Sequence, residues 1–194
     1  MISTIRSFFI CLLFSGVLIS CNSPDALYDL SDESYSLLNT DSTTVIFPDD
    51  FKGEIAVISF VYTHCPDVCT IITANMKNIQ SKLQDTSGVQ FVEISFDPER
   101  DTPSVLKEYK ELYRLNDQFT FLTGDTATVH SLLNKLNIVA RKTRIDSLQQ
   151  DSSEYFMKHS NTIYLMDESG RIRAEYPASF VPPKNVIEDL KKLR

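Results

Sequence analysis

The chain has 194 residues, of which 42% are hydrophobic, and a formal net charge of −7 from 19 Lys and Arg against 26 Asp and Glu. This length accommodates one domain of ordinary size, and the hydrophobic fraction is sufficient for a core, so a wholly disordered chain is excluded. The acidic balance argues against a nucleic-acid partner, because proteins that bind nucleic acids carry a basic face. With only five glycines, a collagen-like repeat is also excluded.

The N-terminal segment has the pattern of a secretory signal. Arg6 is the only charged residue before Cys21, and the apolar run over 8–19 follows it. This run is too short for a membrane-spanning helix, which requires about 20 residues, but it has the length of a signal-peptide core. Leu18-Ile19-Ser20-Cys21 resembles a bacterial lipobox, which implies cleavage before Cys21 and acylation of that cysteine. An uncleaved signal anchor is the alternative.

Cleavage at the lipobox would change the cysteine count of the mature chain. Cys11 would leave with the signal, Cys21 would carry the lipid, and only Cys65 and Cys69 would remain as thiols. The protein would then lie in the cell envelope, lipid-anchored to a bacterial membrane and facing outside the cytoplasm. A neighbouring pair of cysteines tends to be oxidised to a disulfide in that environment.

Composition divides the chain into three segments. Residues 1–20 are the predicted lipoprotein signal. The polar residues that follow Cys21 are rich in Ser, Asp, Thr and Asn, so we predict a lipid anchor and flexible tether over 21–44. One folded domain is predicted over 45–194.

The hydrophobic pattern of this domain predicts alternating strands and helices. Strands are predicted at 55–62, 89–96, 119–122, 162–166 and 172–176, and helices at 66–83, 102–115, 129–138 and 186–193. Thr102 is the predicted N-cap of the second helix, with Pro103 in its first turn. The order indicates a mixed α/β domain with early parallel strands and a C-terminal antiparallel β-hairpin. A strand that leads into a helix beginning with cysteines favours a thioredoxin-like fold.

The cysteine pair lies where the first strong strand becomes a helix, in Tyr-Thr-His-Cys-Pro-Asp-Val-Cys over 62–69. Pro66 suits the first helical position, which predicts Cys65 as the N-cap. The N-terminus of a helix favours anions, so both thiols are predicted to be unusually acidic. The thiolate is the form that attacks disulfides and binds metals.

Three residues separate Cys65 from Cys69, one more than in the thioredoxin motif. Residues four apart on a helix have Cβ atoms about 5–6 Å apart, whereas a disulfide prefers about 3.8 Å. A Cys65–Cys69 disulfide therefore requires Cys65 to move at the end of the helix. Two thiolates at the wider spacing can hold one soft ion, such as Cu(I) or Zn(II), and a third ligand would complete the site.

Three histidines are candidates for that third ligand. His64 adjoins Cys65, but its place at the end of a strand favours a structural or supporting role. His130 lies within an amphipathic helix, on its predicted solvent face. His159 precedes the strand at 162–166, where the pattern alone favours an exposed loop residue. Periodicity therefore leaves the third ligand open.

Three segments together resemble the Sco/SenC family. They are the cysteine segment 62–69, Ser-Phe-Asp-Pro-Glu-Arg-Asp-Thr-Pro at 95–103, and Lys-His-Ser-Asn-Thr-Ile-Tyr-Leu-Met-Asp-Glu-Ser-Gly at 158–170. Their order and spacing are similar to those of the family over about 45–190. Thr70 departs from the pattern, since the family commonly has proline after the second cysteine.

The resemblance implies a membrane-tethered copper protein with a thioredoxin-like fold. It implies that Cys65, Cys69 and His159 are the copper ligands. Asp97 matches a family aspartate near the site that tunes metal binding or redox chemistry. From the residues alone, Asp97 is equally well explained as a turn former before Pro98.

We therefore predict a copper metallochaperone rather than a conventional enzyme. It would pass Cu(I) or Cu(II) to the copper-site subunit of cytochrome c oxidase or to another copper acceptor. The alternative is a thiol-disulfide oxidoreductase, in which Cys65 and Cys69 form a redox-active pair that reduces a partner. An oxidised pair cannot bind copper as thiolates, so loading implies a thiol reductant. A peroxidase-like enzyme is disfavoured, because the cysteine segment contains no Lys or Arg.

Overall fold

The computed structural model describes residues 26–66, 68–144 and 155–194. The strands are β1 Tyr28–Asp29, β2 Tyr35–Asn39, β3 Thr44–Phe47, β4 Ile55–Val61, β5 Val89–Ser95, β6 Phe119–Thr123, β7 Ala140–Arg144, β8 Tyr155–His159, β9 Thr162–Met166 and β10 Arg171–Pro177. The helices are α1 Val68–Lys82, α2 Pro103–Leu112, α3 Thr126–Lys135 and α4 Pro183–Leu193, with a short 3₁₀ turn at Asp49–Phe51. The predicted signal and Cys21 lie outside the described residues. No helix in the described part of the chain combines the length and hydropathy needed to span a bilayer.

A mixed eight-stranded sheet organises the domain, in the order β1-β10-β9-β4-β5-β6-β2-β3. The strands β4, β5 and β6 are parallel, while β9 pairs antiparallel with β4 and with β10. All seven residues of β4 are buried, as its continuous apolar run predicts for a central strand. The predicted mixed sheet and C-terminal hairpin are both confirmed, and the architecture is thioredoxin-like.

The helices α1, α2 and α4 pack next to one another. Residues of α1 contact α4, and the Thr73 hydroxyl of α1 lies 3.0 Å from the Tyr109 hydroxyl of α2. The predicted cap of α2 is confirmed, because Thr102 Oγ1 accepts the N–H of Val105 at 3.4 Å and Pro103 is the first helical residue. The start of α1 is different from the prediction, because this helix begins at Val68 rather than at Pro66.

Strands occur earlier in the chain than the sequence predicts. Residues assigned to the tether over 21–44 include β1, β2 and the first residue of β3. β2 joins the sheet between β6 and β3 and buries Tyr35 and Leu37, while Leu30 is also in the core. The pattern did not predict these strands because their few apolar residues are interrupted by serine, aspartate and glutamate. Any flexible tether therefore ends before β1.

The strands β7 and β8 form a second, two-stranded antiparallel sheet outside the main one, which we call the ribbon. Their register runs from Ala140 opposite His159 to Arg144 opposite Tyr155. Only Met157 of β8 is buried, because most ribbon side chains face solvent. The sequence analysis did not predict the ribbon, because strands are recognised by regularly spaced hydrophobic residues that face the core, and these two strands have few of them.

Candidate metal centre

The cysteine pair lies in the turn that joins β4 to α1. The N–H of Cys65 donates to the carbonyl of Tyr62 at 3.4 Å, and the N–H of Cys69 donates to Cys65 Sγ at 3.4 Å. Cys65 is therefore not the N-cap, because it lies three residues before the helix, although its sulfur still accepts a backbone N–H of the first turn. Cys65 is half-buried, whereas Cys69 is only 1% exposed.

The ribbon brings His159 to the cysteine pair. His159 ends β8, and its Nε2 lies 3.9 Å from Cys69 Sγ. The donor atoms of Cys65, Cys69 and His159 all lie within 4.8 Å of one another, and no other cluster of three such donors occurs within 26–66, 68–144 and 155–194. The three residues that the resemblance implies as ligands are thus brought together, although 90 positions separate Cys69 from His159.

Backbone contacts fix the orientation of the His159 ring. Its Nδ1 lies 2.9 Å from the carbonyl oxygen of Ser160. A carbonyl oxygen can only accept, so Nδ1 carries the proton and Nε2 presents its lone pair to Cys69. Ser160 is held in turn by two hydrogen bonds to Val139, which precedes β7. This is the arrangement in which a neutral imidazole serves as a metal ligand.

Two aromatic side chains that the sequence analysis did not select enclose the His159 ring. The ring centroids of Phe96 and Tyr62 lie 4.6 and 5.6 Å from that of His159. Tyr62 directly follows β4 and Phe96 directly follows β5, so both lie inside the motif segments and could have been found there. Burial raises the pKa of Tyr62 to about 12, so it stays a neutral hydroxyl, and this hydroxyl accepts the N–H of Met157 at 3.4 Å.

The donor set fits a soft metal ion. Metal–sulfur and metal–nitrogen bonds of about 2.0–2.3 Å place the donors of one ion about 3.5–4 Å apart. The separation of 3.9 Å between Cys69 and His159 already meets this requirement, and the longest separation in the group requires only a small inward movement. Two thiolates and one imidazole are donors that Cu(I) prefers, and Zn(II) also accepts them.

The acidity predicted for the thiols is wrong for Cys69. The hydrogen bond with the Cys65 thiol and burial both raise the pKa of Cys69 above its ordinary value. A backbone hydrogen bond from Tyr62 acts in the opposite direction but does not offset these effects on the pKa of Cys69. A metal ion that binds Cys69 must therefore displace its proton.

Asp97 anchors the ribbon to the end of β5 rather than approaching the donor atoms. Its buried carboxylate accepts from Arg100 Nε at 2.6 Å and from the Tyr155 hydroxyl at 2.7 Å. Arg100 also donates to the carbonyl of Tyr155 at 3.0 Å. The Asp97 carbonyl accepts the N–H of Arg100 and that of Asp101, so the residue forms a turn as well. Asp97 therefore supports the position of β8, which carries His159.

Asp101 is a second buried carboxylate that the sequence analysis did not single out. It accepts from Thr63 Oγ1 and Ser95 Oγ, each at 2.6 Å, and from the N–H of Thr63 at 3.2 Å. Burial raises the pKa of Asp101. His64 is exposed and contacts Thr63 Oγ1 through Nδ1 at 3.1 Å, so it belongs to this network rather than to the donor group. Asp101 thus holds the turn that precedes Cys65.

His130 does not reach the cysteine pair. It lies on the exposed face of α3, as its position in the helical pattern predicts. Of the three histidines, the structure brings only His159 into the donor group.

Comparisons with known proteins agree with this geometry. The family model described as SCO1/SenC matches residues 26–194. The structure of Bradyrhizobium japonicum ScoI with copper bound is 29% identical, covers 83% of this chain and 98% of that one, and superposes with a TM-score of 0.68. A SCO1/SenC family lipoprotein from Bacillus anthracis is 27% identical, with coverage of 88% and 98% and a TM-score of 0.73.

A third similar structure is described in terms of its thiols. BsSco, reported with a disulfide switch and as a member of the Sco family of cytochrome c oxidase assembly proteins, is 26% identical. The match covers 87% of this chain and 95% of that one, with a TM-score of 0.67.

Proposed function

We propose, for a chain that belongs to the SCO1/SenC family, that it binds copper through Cys65, Cys69 and His159 and delivers it during assembly of cytochrome c oxidase. The observation that carries the proposal is the convergence of these three donor atoms within 4.8 Å from two distant parts of the chain. The similar protein ScoI from Bradyrhizobium japonicum has been solved with copper bound, which supports copper as the cargo.

The unequal exposure of the ligands suggests a route for transfer. Cys65 is half-buried at the surface of the site, whereas Cys69 is almost fully buried and His159 is partly enclosed by rings. An acceptor thiolate would approach from the Cys65 side and replace that sulfur first. Cys69 and His159 would hold the ion until a second acceptor ligand binds. The acceptor would be the copper-site subunit of cytochrome c oxidase or another protein with thiolate ligands.

A reduction of partner disulfides is the second candidate function. The contact of the Cys69 N–H with Cys65 Sγ places the two thiols at adjacent positions, and the similar protein BsSco is described with a disulfide switch. A dithiol can reduce a partner only by becoming a disulfide, and this form offers no thiolates to copper. Both functions therefore require an external thiol reductant.

We also propose that the domain is held at a bacterial membrane by a lipid on Cys21, with 1–20 removed as a signal. The lipobox supports this, and one similar structure is that of a lipoprotein. Metabolic labelling with a radioactive fatty acid should mark the wild-type protein but not Cys21→Ser. Equal labelling of both proteins would contradict the anchor.

Metal titration of the purified protein tests the copper proposal. The reduced protein should bind about one Cu(I) per chain, and the disulfide form should bind far less, because thiolates are the ligands. Competition with a coloured Cu(I) chelator measures both affinities. Undiminished binding by the oxidised protein would contradict the proposed site.

A further inference from the structure

His64 is the exposed neighbour of the cysteine pair. It directly precedes Cys65 in the turn after β4, and its side chain is exposed, whereas that of Cys65 is half-buried. Two backbone hydrogen bonds hold this turn. The N–H of Thr63 donates to the Asp101 carboxylate at 3.2 Å, and the N–H of Cys65 donates to the carbonyl of Tyr62 at 3.4 Å. The main chain on both sides of His64 is therefore fixed.

The hydrogen bonds of Thr63 determine which nitrogen of the His64 ring carries a proton. Thr63 Oγ1 donates its only proton to the carboxylate of Asp101 at 2.6 Å. The same oxygen lies 3.1 Å from His64 Nδ1, so the oxygen must accept there and Nδ1 carries the ring proton. Nε2 then keeps its lone pair, and no hydrogen bond joins this nitrogen to another residue of 26–66, 68–144 or 155–194.

The ring of His64 has the same hydrogen-bonding arrangement as that of His159. In both rings Nδ1 donates to an oxygen of the protein and Nε2 keeps a lone pair, as in histidines that bind metals. The two rings differ in exposure, because Phe96 and Tyr62 enclose His159 whereas His64 is exposed. The chain therefore has one imidazole suited to a metal inside the donor group and a second one at its exterior.

We propose that His64 is the entry ligand for copper: it binds Cu(I) while the ion is still attached to its donor, and it passes the ion to Cys65. The order follows from exposure, which decreases from His64 through Cys65 to Cys69. A neutral imidazole suits this task because it binds the ion without first losing a proton, whereas a thiol must be deprotonated. The inference rests on the proposed function, since it concerns the route by which copper reaches the same three ligands.

The transfer is an exchange of ligands at Cu(I), with no change in the oxidation state of the ion. His64 Nε2 bonds to the ion as one ligand of the donor leaves. The Cys65 thiolate bonds next, and the last donor ligand leaves. The bond to His64 breaks when Cys69 and His159 complete the site, and each thiol that binds releases its proton to solvent. Delivery to an acceptor follows the same steps in reverse.

The rates of copper loading and release test the proposal. The reduced protein is mixed in a stopped-flow instrument with the Cu(I) complex of a coloured chelator, and the loss of colour follows loading. Excess chelator added to the loaded protein follows release. In His64→Ala both rates should fall by about tenfold or more, because the ion is no longer held at high effective concentration beside Cys65. The affinity should stay at the wild-type value, since His64 has no bond to the ion in the final complex.

Two further variants show whether the effect belongs to the metal-binding nitrogen. His64→Met supplies a thioether, which Cu(I) also accepts, and should restore most of the lost rate. His130→Ala removes an exposed histidine from α3 and should load copper as the wild type does. Equal loading rates in His64→Ala and the wild type would overturn the proposal. A fall in affinity as large as the fall in loading rate would also overturn it, because His64 would then stabilise the final complex rather than deliver the ion.

The proton position on the His64 ring can be measured without copper. In a long-range proton–nitrogen NMR spectrum of the metal-free protein, the chemical shifts of the two ring nitrogens show which one is protonated. The proton should lie on Nδ1, and a proton on Nε2 would contradict the entry role. Absence of Cu(I) binding by the wild type would contradict the proposed function and this inference together. Normal binding with unaltered loading in His64→Ala would contradict only the inference.

Discussion

Cys65 and Cys69 are held by the main sheet and α1, whereas His159 stands on a two-stranded ribbon outside that sheet. The thiols are close because they are neighbours in sequence, and their turn is fixed by Asp101 and by backbone contacts. His159 is close because tertiary contacts, among them those of Asp97, Arg100 and Tyr155, fix the ribbon against the end of β5. We therefore expect thiol chemistry to survive damage to the ribbon, and we expect metal binding at the proposed three-ligand site to require both regions.

Loss of a thiol should cause the largest fall in copper affinity. Cys69→Ser replaces the buried soft donor by a hydroxyl, which is a poor ligand for Cu(I), so copper affinity should fall by at least about a hundredfold. Chelator competition measures the loss. Cys21→Ser, which removes a cysteine outside the proposed site, should bind copper as the wild type does. Retention of full affinity by Cys69→Ser would exclude this residue as a ligand.

Removal of the proposed ligand on the ribbon should cause the next largest fall in copper affinity. This variant tests the ribbon separately from the thiol region, because it leaves both cysteines in place. His159→Ala loses one of three donors, so copper affinity should fall by about ten- to a hundredfold, while the dithiol titre stays at the wild-type value. His130→Ala removes an exposed histidine and serves as the control. A thermal melt of the metal-free variant checks that the ribbon still packs. Wild-type affinity in His159→Ala would leave the thiols as the sole binding groups.

A third prediction concerns Glu93 of β5, a buried acid of the core. The pKa of Glu93 in the folded protein is about 8, above its ordinary value of 4.5, so the folded state binds more protons between these values. The free energy of unfolding should therefore fall as pH rises through this window, by up to about 1.4 kcal/mol per pH unit. Urea unfolding at several pH values should show a flatter dependence for Glu93→Gln than for the wild type. Parallel curves would show that Glu93 does not titrate in the folded protein.

The smallest effect is expected at the contact that fixes the ribbon. Tyr155→Phe removes the hydroxyl that donates to Asp97 but keeps the ring, whose centroid lies 3.6 Å from the Arg100 guanidinium carbon. Because this contact only supports the position of His159, copper affinity should fall by about tenfold or less, with thiol reactivity unchanged. Tyr113→Phe removes the hydroxyl of a tyrosine at the C-terminal end of α2 and provides a matched control. A change in thiol reactivity in Tyr155→Phe would show that the two regions are not independent.

The strands that could be predicted from the sequence are those with a continuous or alternating pattern of hydrophobic residues. β4, β5, β6 and the β9–β10 hairpin are hydrophobic enough to be found from their pattern, and Thr102 marks the start of α2 by local capping chemistry. β2 and the ribbon were not predicted, because their pairing depends on distant strands rather than on a local hydrophobic pattern.

In the candidate site, too, some residues could be predicted from the local sequence and others only from the fold or the family resemblance. The cysteine pair is visible as a local motif, and its acidity was misjudged because burial of Cys69 and its hydrogen bond with Cys65 are tertiary properties. His159 entered the ligand set only through the family resemblance, since nothing around it in the sequence indicates a partner 90 residues away. Asp101 lies within a motif that was recognised, but its contacts to Thr63 and Ser95 could be assigned only from the fold.

The early start of the sheet would limit how far a domain acylated at Cys21, as we propose, could move from a membrane. The N–H of Leu27 already donates to the carbonyl of Ile172 at 2.8 Å, and β1 follows at once. For a chain acylated at Cys21, only six residues join the lipid to this first hydrogen bond. Fully extended, they reach about 20 Å, which is less than the diameter of the domain itself. A protein anchored in this way could not diffuse away from the membrane to reach an acceptor, so the proposed copper transfer would take place at the membrane surface.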